Sequence, residues 1–273
     1  MRRRATVNDD FFSQDTAESF YWAGFLAADG CVLNTKRTSV WLSKKDLNQI
    51  QKLKTALNYS GKISYSARRK AYGITVTSEK IVEALKRFNV VPRKSLILTF
   101  PEWLKEHQLV NHFLRGYFDG DGSFSVKSGK YVKTIKFALR GTVEFLNSFQ
   151  NILNTNCKTG NKKVYLYDSI GSLEYSGRKK VAKIINFLYK NSVEATRLTR
   201  KYIIASNEDF KTNLDKVFTR KEIIGTNLST GEIITFGSMA EAQASGFRYQ
   251  NISACCRGIV KYHKGYTWKY KEV

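Results

Sequence analysis

Two aspartates occupy equivalent places in two related segments of the 273-residue chain. Asp29 lies near the end of WAGFLAADG at 22–30, and Asp121 near the end of LRGYFDGDG at 114–122, 92 residues further on. Each segment reads as the end of a helix, with small residues four apart: Gly24 and Ala28 in one, Gly116 and Gly120 in the other. Such pairs make smooth stripes along which two helix backbones can pack closely. Packing them side by side would bring the two carboxylates together. At a helix C-terminus a carboxylate opposes the negative end of the dipole, at a cost of roughly 0.3–1 kcal/mol, and two of them also repel. A divalent cation removes both penalties, and the free carbonyls of a helix end are hard oxygen ligands suited to Mg²⁺. A duplicated unit presenting one carboxylate per copy suits a pseudo-symmetric substrate such as duplex DNA.

Other chemistries find little support. The three histidines, His107, His112 and His263, are scattered, and the four cysteines (Cys31, Cys157, Cys255, Cys256) have no C-x-x-C spacing. They read as small buried hydrophobes in a reducing compartment rather than as disulfide or zinc ligands. Acid–base or metal chemistry here must rest on carboxylates and water.

The charge balance names the partner. Lys+Arg number 46 against Asp+Glu 23, a net charge of +23 spread along the whole chain. A polyanion relieves that self-repulsion, so nucleic acid is the expected ligand. No concentrated amphipathic helix or polybasic tail points to a membrane surface, no apolar run reaches spanning length, and the polar start lacks a signal-peptide core. An intracellular, reducing location (cytoplasm, nucleoid or organelle matrix) follows as an expectation.

The elements that must position the carboxylates also repeat. A helix at 16–29, with Asp15 and Glu18 as a capping box, leads to a hairpin of CVLNT and TSVWLS. The helix DLNQIQKLKTALN follows, with Leu47, Ile50, Leu53 and Leu57 on one face. Strands GKISYSA and YGITVT and the helix SEKIVEALKRFN close the copy. The second copy repeats the order: a helix around 104–121, a hairpin of SFSVK and TIKFAL, the helix TVEFLNSFQNIL, short strands near 163–167 and 172–176, and the helix RKKVAKIINFLYK. Residues 195–222 read as a helix plus linker. GTNLSTGEIITF then suggests a hairpin, SMAEAQASG and YQNISACCRG two short helices joined through Gly246–Phe247, and GYTWKY a last strand. Two short helices across a tight turn fit a helix-turn-helix module. The expected domains are 1–100, 101–205, a linker at 206–222, and a C-terminal module at 223–273.

Both Asp-Gly segments resemble the LAGLIDADG motif of the homing endonuclease family, and the double motif is similar to its single-chain members. The resemblance implies an α+β fold: two pseudo-symmetric αββαββα units, with their motif helices at the interface and their strands forming a saddle-shaped sheet in the DNA major groove. It implies Asp29 and Asp121 as metal ligands and catalytic acids, with Ala28 and Gly120 offering carbonyls to the same metals. Mg²⁺ is the implied cofactor, and Mn²⁺ or Ca²⁺ can substitute in binding. The implied reaction is phosphodiester hydrolysis on both strands of a long, asymmetric target by a monomer, leaving four-base 3′ overhangs, as part of intron mobility. Basic groups around the scissile phosphates would be Lys44, matched with Arg140, and secondarily Lys94 and Lys201, from the matching pairs Arg93–Lys94 and Arg200–Lys201. The one departure is Ala27, where the second copy has Asp119. That position is not the metal ligand, and its loss concerns the polarity of the helix interface.

Candidate DNA contacts interleave basic, aromatic and hydroxyl residues on the hairpins. They are Lys36, Arg37, Ser39 and Trp41; Arg68, Arg69, Lys70 and Tyr72; and Lys127, Lys130, Tyr131, Lys133 and Lys136. Strand alternation would present them on one face, where Arg and Lys read guanine edges or hold phosphates. The stretch 223–271 resembles the modular DNA-binding repeats that follow intron-encoded nucleases. There Ser238 would cap the first short helix, and Arg248, Tyr249, Gln250, Asn251, Ser253 and Arg257 would lie on or beside the second, groove-facing one. The same fold also serves RNA maturases that assist splicing and silent DNA-binding regulators. Retention of both acids favours cleavage over either.

Overall fold

The computed structural model describes residues 5–128, 133–207 and 222–271. The chain divides into two compact units, Met1–Thr212 and Asn213–Val273, each described by itself.

The first unit has an α+β fold that contains one arrangement twice. Copy one runs α1 (Ala17–Ala28), β1 (Gly30–Asn34), β2 (Arg37–Ser43), α2 (Leu47–Ala56), β3 (Ser64–Ser66), β4 (Ala71–Thr77) and α3 (Glu79–Lys86). Copy two runs α4 (Val110–Asp121), β5 (Gly122–Ser128), β6 (Lys133–Gly141), α5 (Val143–Cys157), β7 (Tyr165–Tyr167), β8 (Ile170–Ser176) and α6 (Arg178–Tyr189), followed by α7 (Thr199–Ala205). The strands form two four-stranded antiparallel sheets with the same neighbour pattern, β1-β2-β4-β3 and β5-β6-β8-β7. The pairings Gly30↔Val40 and Gly122↔Leu139 fix the correspondence between the copies. One hydrophobic core joins them. Val40, Ile74 and Val76 of one sheet and Ile135, Phe137 and Leu139 of the other belong to the same buried cluster as the helices.

Several helix boundaries differ from expectation for local reasons. Thr16, not Asp15, caps α1, its Oγ1 accepting from Ser19 N at 3.1 Å, while the Asp15 carboxylate is engaged by Arg87 at 2.5 Å. The helix expected from 104 begins at Val110. Pro101 leads into a 3-10 turn at Glu102–Leu104, and His107 Nδ1 accepts from Leu109 N at 3.1 Å, which competes with helix continuation. In turn, α5 extends to Cys157, which is buried, and ends on Lys158 at φ 53°. Of the cysteines expected inside, Cys31 instead lies exposed on β1.

The second unit holds β9 (Ile223–Asn227), β10 (Ile233–Phe236), α8 (Met239–Ala244), α9 (Tyr249–Cys256) and β11 (Tyr266–Tyr270), with sheet order β10-β9-β11. Ser238 Oγ accepts from Glu241 N at 3.2 Å, and the Glu241 carboxylate accepts from Gly237 N at 2.7 Å. Gly246, at φ 89°, supplies the turn between the two helices. Ile223, Ala242, Ile252, Cys255 and Trp268 form a small separate core.

Candidate active site at the paired motif helices

α1 and α4 pack backbone against backbone. A Cβ on Gly24 would lie 2.0 Å from Phe113 O, and one on Gly116 only 1.9 Å from Tyr21 O. A Cβ on Gly120 would meet the Ala28 Cβ at 2.3 Å and Asp29 Oδ2 at 3.4 Å. The carboxylate of the first helix therefore sits beside the last turn of the second. Asp29 is the C-cap of α1, and Asp121 is the last residue of α4.

Both carboxylates keep an accessible face, yet the protein packed around them disfavours their charge. Burial raises the pKa of Asp29 above the usual carboxylate range. Burial, reinforced by the charge of Asp29, lifts Asp121 to about 6. Each copy places a buried lysine nearby. Lys94, 5% exposed, donates to Ala28 O at 3.1 Å, and Lys201, 3% exposed, donates to Phe118 O at 2.6 Å, Asp119 O at 2.7 Å and Gly120 O at 3.4 Å. Burial lowers both ammonium pKa values, that of Lys201 to about 8. These lysines, weighted below Lys44 and Arg140 on sequence, are the basic groups that touch the motif helices. Lys44 is exposed on a 3-10 turn after β2, and Arg140 is exposed on β6 opposite Ser172. Sheet register further shows that Arg140 corresponds to Trp41, which pairs with Gly73, so Lys44 and Arg140 are not equivalent positions.

The donor set suits a hard cation. It offers two carboxylates beside backbone carbonyls with spare lone pairs, and among the described residues no cluster of three or more His, Cys, Asp or Glu forms a cage. Mg²⁺ is held in this way, by one or two carboxylates completed by water and substrate phosphates.

Behind Asp121 lies a polar network that the sequence did not disclose. Asp119, 1% exposed, accepts from Tyr21 OH and Leu198 N, both at 2.8 Å, and from Tyr189 OH at 3.1 Å. Gln49 Nε2 donates to Tyr21 OH at 2.6 Å. Arg115, fully buried, donates to Leu188 O, Thr196 O and Thr196 Oγ1 at 2.8–3.0 Å and to His112 Nδ1 at 2.9 Å. His112 stays neutral, burial and Arg115 having lowered its pKa to about 4. The one available signal was a pair of charges, Arg115 and Asp119, inside an otherwise uncharged helix stretch. Across the copies, Arg200 grips Asp46 through two contacts at 2.8 and 3.2 Å, and Lys52 Nζ reaches Glu194 Oε1 at 2.7 Å and Arg197 O at 2.9 Å.

The proposed contact residues do not share one face. Register places Ser39 and Trp41 on the face of β2 opposite Val40 and Leu42, whereas Tyr72 pairs with Leu42 and its ring lies tilted against that of Tyr65, centroids 5.0 Å apart. Ser39 is itself buried. Trp41 lies over Gly73, with the Arg69 guanidinium 5.2 Å above its ring. Arg37, Arg68, Arg69 and Lys70 are exposed, Lys36 pairs with Glu79 at 2.6 Å, and Lys136 pairs with Glu174 at 2.6 Å. Lys130 and Tyr131, and the side chains of Lys127 and Lys133, lie outside the described residues. In the second unit Arg248, Tyr249, Gln250, Asn251 and Arg257 are exposed and Ser253 half-buried, opposite the inward Ile252 and Cys255.

Residues 108–216, which hold copy two, match the LAGLIDADG-like domain family. Among curated proteins, the chain is 37% identical over 65 residues to a probable mobile endonuclease C of Enterobacteria phage T4, covering 24% of this chain and 30% of that one. It is 25% identical over 208 residues to a probable translation initiation factor of Methanocaldococcus jannaschii, covering 70% of this chain and 17% of that protein. The chain thus spans less than a third of the length of either relative. Among solved structures, the LAGLIDADG meganuclease I-AabMI bound to uncleaved DNA aligns over 68% of this chain and 89% of its own, with a TM-score of 0.47 and 15% identity. The I-LtrWI LAGLIDADG homing endonuclease bound to target DNA aligns over 72% and 90%, with a TM-score of 0.49 and 13% identity.

Proposed function

We propose that the chain is a site-specific DNA endonuclease that hydrolyses one phosphodiester in each strand of a long, asymmetric duplex target, using Mg²⁺ and leaving four-base 3′ overhangs. One observation carries this reading: the C-terminal carboxylates of two helices meet at an interface too close for a Cβ, with a buried lysine beside each helix end. Asp29 and Asp121 would hold the metal, with Ala28 O and Gly120 O as further oxygen donors. Bound Mg²⁺ would supply an acidified water and charge neutralisation at the phosphate. Lys94 and Lys201 fix the helix ends and place positive charge beside the carboxylates, which lowers the pKa of Asp29 and Asp121 against the opposing effect of burial. Each strand's hydrolysis consumes one water, forming one P–O bond as another breaks.

The exposed Arg37, Arg68, Arg69 and Lys70 supply phosphate contacts on the sheet side, and the outward face of α9 offers Arg248, Gln250, Asn251 and Arg257 as a second docking element. Linking the two raises affinity through effective concentration. Both acids come from one chain, which supports action as a monomer, in the reducing compartment that holds the DNA. Among the described residues no helix is long and apolar enough to cross a membrane. The test is incubation of the protein and Mg²⁺ with genomic DNA lacking the neighbouring mobile element, followed by sequencing of every new end. Discrete ends with four-base 3′ overhangs, absent with an Asp29→Asn, Asp121→Asn variant, are expected. Salt-sensitive DNA binding without new ends would point instead to an RNA maturase or a silent binder.

A further inference from the structure

The segment that carries each buried lysine is tied to the opposite copy. In copy one Asp46 is the N-cap of α2, and in copy two Thr142 is the N-cap of α5, the helix at the same place after the second strand. An N-cap side chain ordinarily accepts from a backbone N–H of its own first turn. The buried Asp46 carboxylate makes no such bond. It spends its two oxygens on Arg200 Nε and Nη2, at 2.8 and 3.2 Å, and Arg200 precedes Lys201 on α7. Lys52, further along α2, ties the approach to α7 through Glu194 Oε1, Arg197 O and Thr199 Oγ1. Thr142 Oγ1 does cap α5, accepting from Phe145 N at 3.2 Å, and its hydroxyl donates to Leu98 O at 2.5 Å. Leu98 closes the turn that starts at Lys94, its N–H donating to Lys94 O at 2.8 Å. One contact is an ion pair and the other a hydroxyl bond, yet both run from the cap of one copy to the lysine segment of the other.

We propose that Asp46 and Thr142 are positioning residues that act across the copies, Asp46 setting Lys201 and Thr142 setting Lys94, so that each copy completes the other's part of the site. This rests on the endonuclease reading. Burial fixes the stems of both lysines, so where each ammonium falls depends on where its backbone segment sits. Misplacement of a group at a reacting centre by about 1 Å can cost on the order of 10²-fold in rate. Each segment also keeps contacts to its own copy, Lys94 to Ala28 O and Leu198 N to Asp119, so losing the cross-copy contact alone should cost less, about tenfold.

Asp46→Ala removes both acceptors and has no capping bond to lose, and Arg200→Met breaks the same contact from the other side. Thr142→Asp keeps an acceptor for Phe145 N but loses the donated hydrogen. Each should slow cleavage of the target DNA about tenfold, and Thr142→Ser, which keeps the hydroxyl, should restore the rate lost in Thr142→Asp. Asp46→Ala should slow cleavage further in a Lys94→Met background and add nothing in a Lys201→Met background, and Thr142→Asp should show the reverse. In carbon-13 relaxation of the DNA-free, metal-free protein, Asp46→Ala should lower the order parameter at the Lys201 ε-carbon and leave that of Lys94 unchanged. Thr142→Asp should do the opposite. General loss of stability would slow both lysine backgrounds alike, so equal effects in the two overturn the proposal, as do unmoved order parameters. If the wild-type protein cuts no DNA, the endonuclease reading falls, and the order parameters alone then decide whether the caps hold the lysines.

Discussion

Gly116→Ala replaces a hydrogen by a methyl group at the point where α4 meets α1. The new Cβ would sit 1.9 Å from Tyr21 O, 2.8 Å from Phe25 N and 2.9 Å from Tyr21 C. All three are backbone atoms of α1, so no side-chain rotation relieves the clash. Ordinary contact begins at 3.4 Å, so the helices must part by about 1.5 Å. Overpacking of this kind costs typically 1–3 kcal/mol, and an immovable backbone on the far side argues for the upper end. Alanine returns about 1 kcal/mol of helix propensity. The net expectation is a destabilisation of about 2 kcal/mol, or about 4–8 °C in Tm for a unit of this size. Urea unfolding followed by circular dichroism measures it, with an unchanged m-value as evidence that the folded state survives. Cleavage should fall further than stability does, because parting the helices also parts Asp29 from Asp121. A variant as stable as wild type, or more stable, would refute the close packing on which the site depends.

Further outcomes follow from the same geometry. The folded pKa of Asp121, about 6, lies above its unfolded value, so its charged form destabilises the metal-free fold. Stability should therefore rise as pH falls from 7 toward 4, by about 1 kcal/mol after discounting for the accessible carboxylate, and Asp121→Asn should flatten that part of the Tm–pH curve. Asp119→Ala leaves Tyr21 OH, Tyr189 OH and Leu198 N without their acceptor. Chemical denaturation should report a loss of about 3–5 kcal/mol, far above the cost of a surface substitution. Replacing Arg68, Arg69 and Lys70 together by alanine should weaken DNA binding and flatten its log–log salt dependence by about 0.9 per lost phosphate contact; an unchanged slope would remove this turn from the DNA interface.

Local patterning alone specifies the repeated order of elements, because helix and strand periods, caps and turn residues are set by near neighbours in the chain. It also determined that Asp29 and Asp121 end the two motif helices, since the stripes Gly24/Ala28 and Gly116/Gly120 leave backbones free to touch. Tertiary structure decided what surrounds those acids. Lys94 reaches Ala28 O across 66 residues, and Lys201 reaches the α4 terminus across more than 80. Local pattern carries no information over such separations, which is why the sequence favours the exposed Lys44 and Arg140 over them. Sheet register, a one-residue matter that swaps faces, set Trp41 against Gly73 and turned Tyr72 to the other side. The buried partners of Arg115 and Asp119 depend on volumes that exist only once both copies pack around one core.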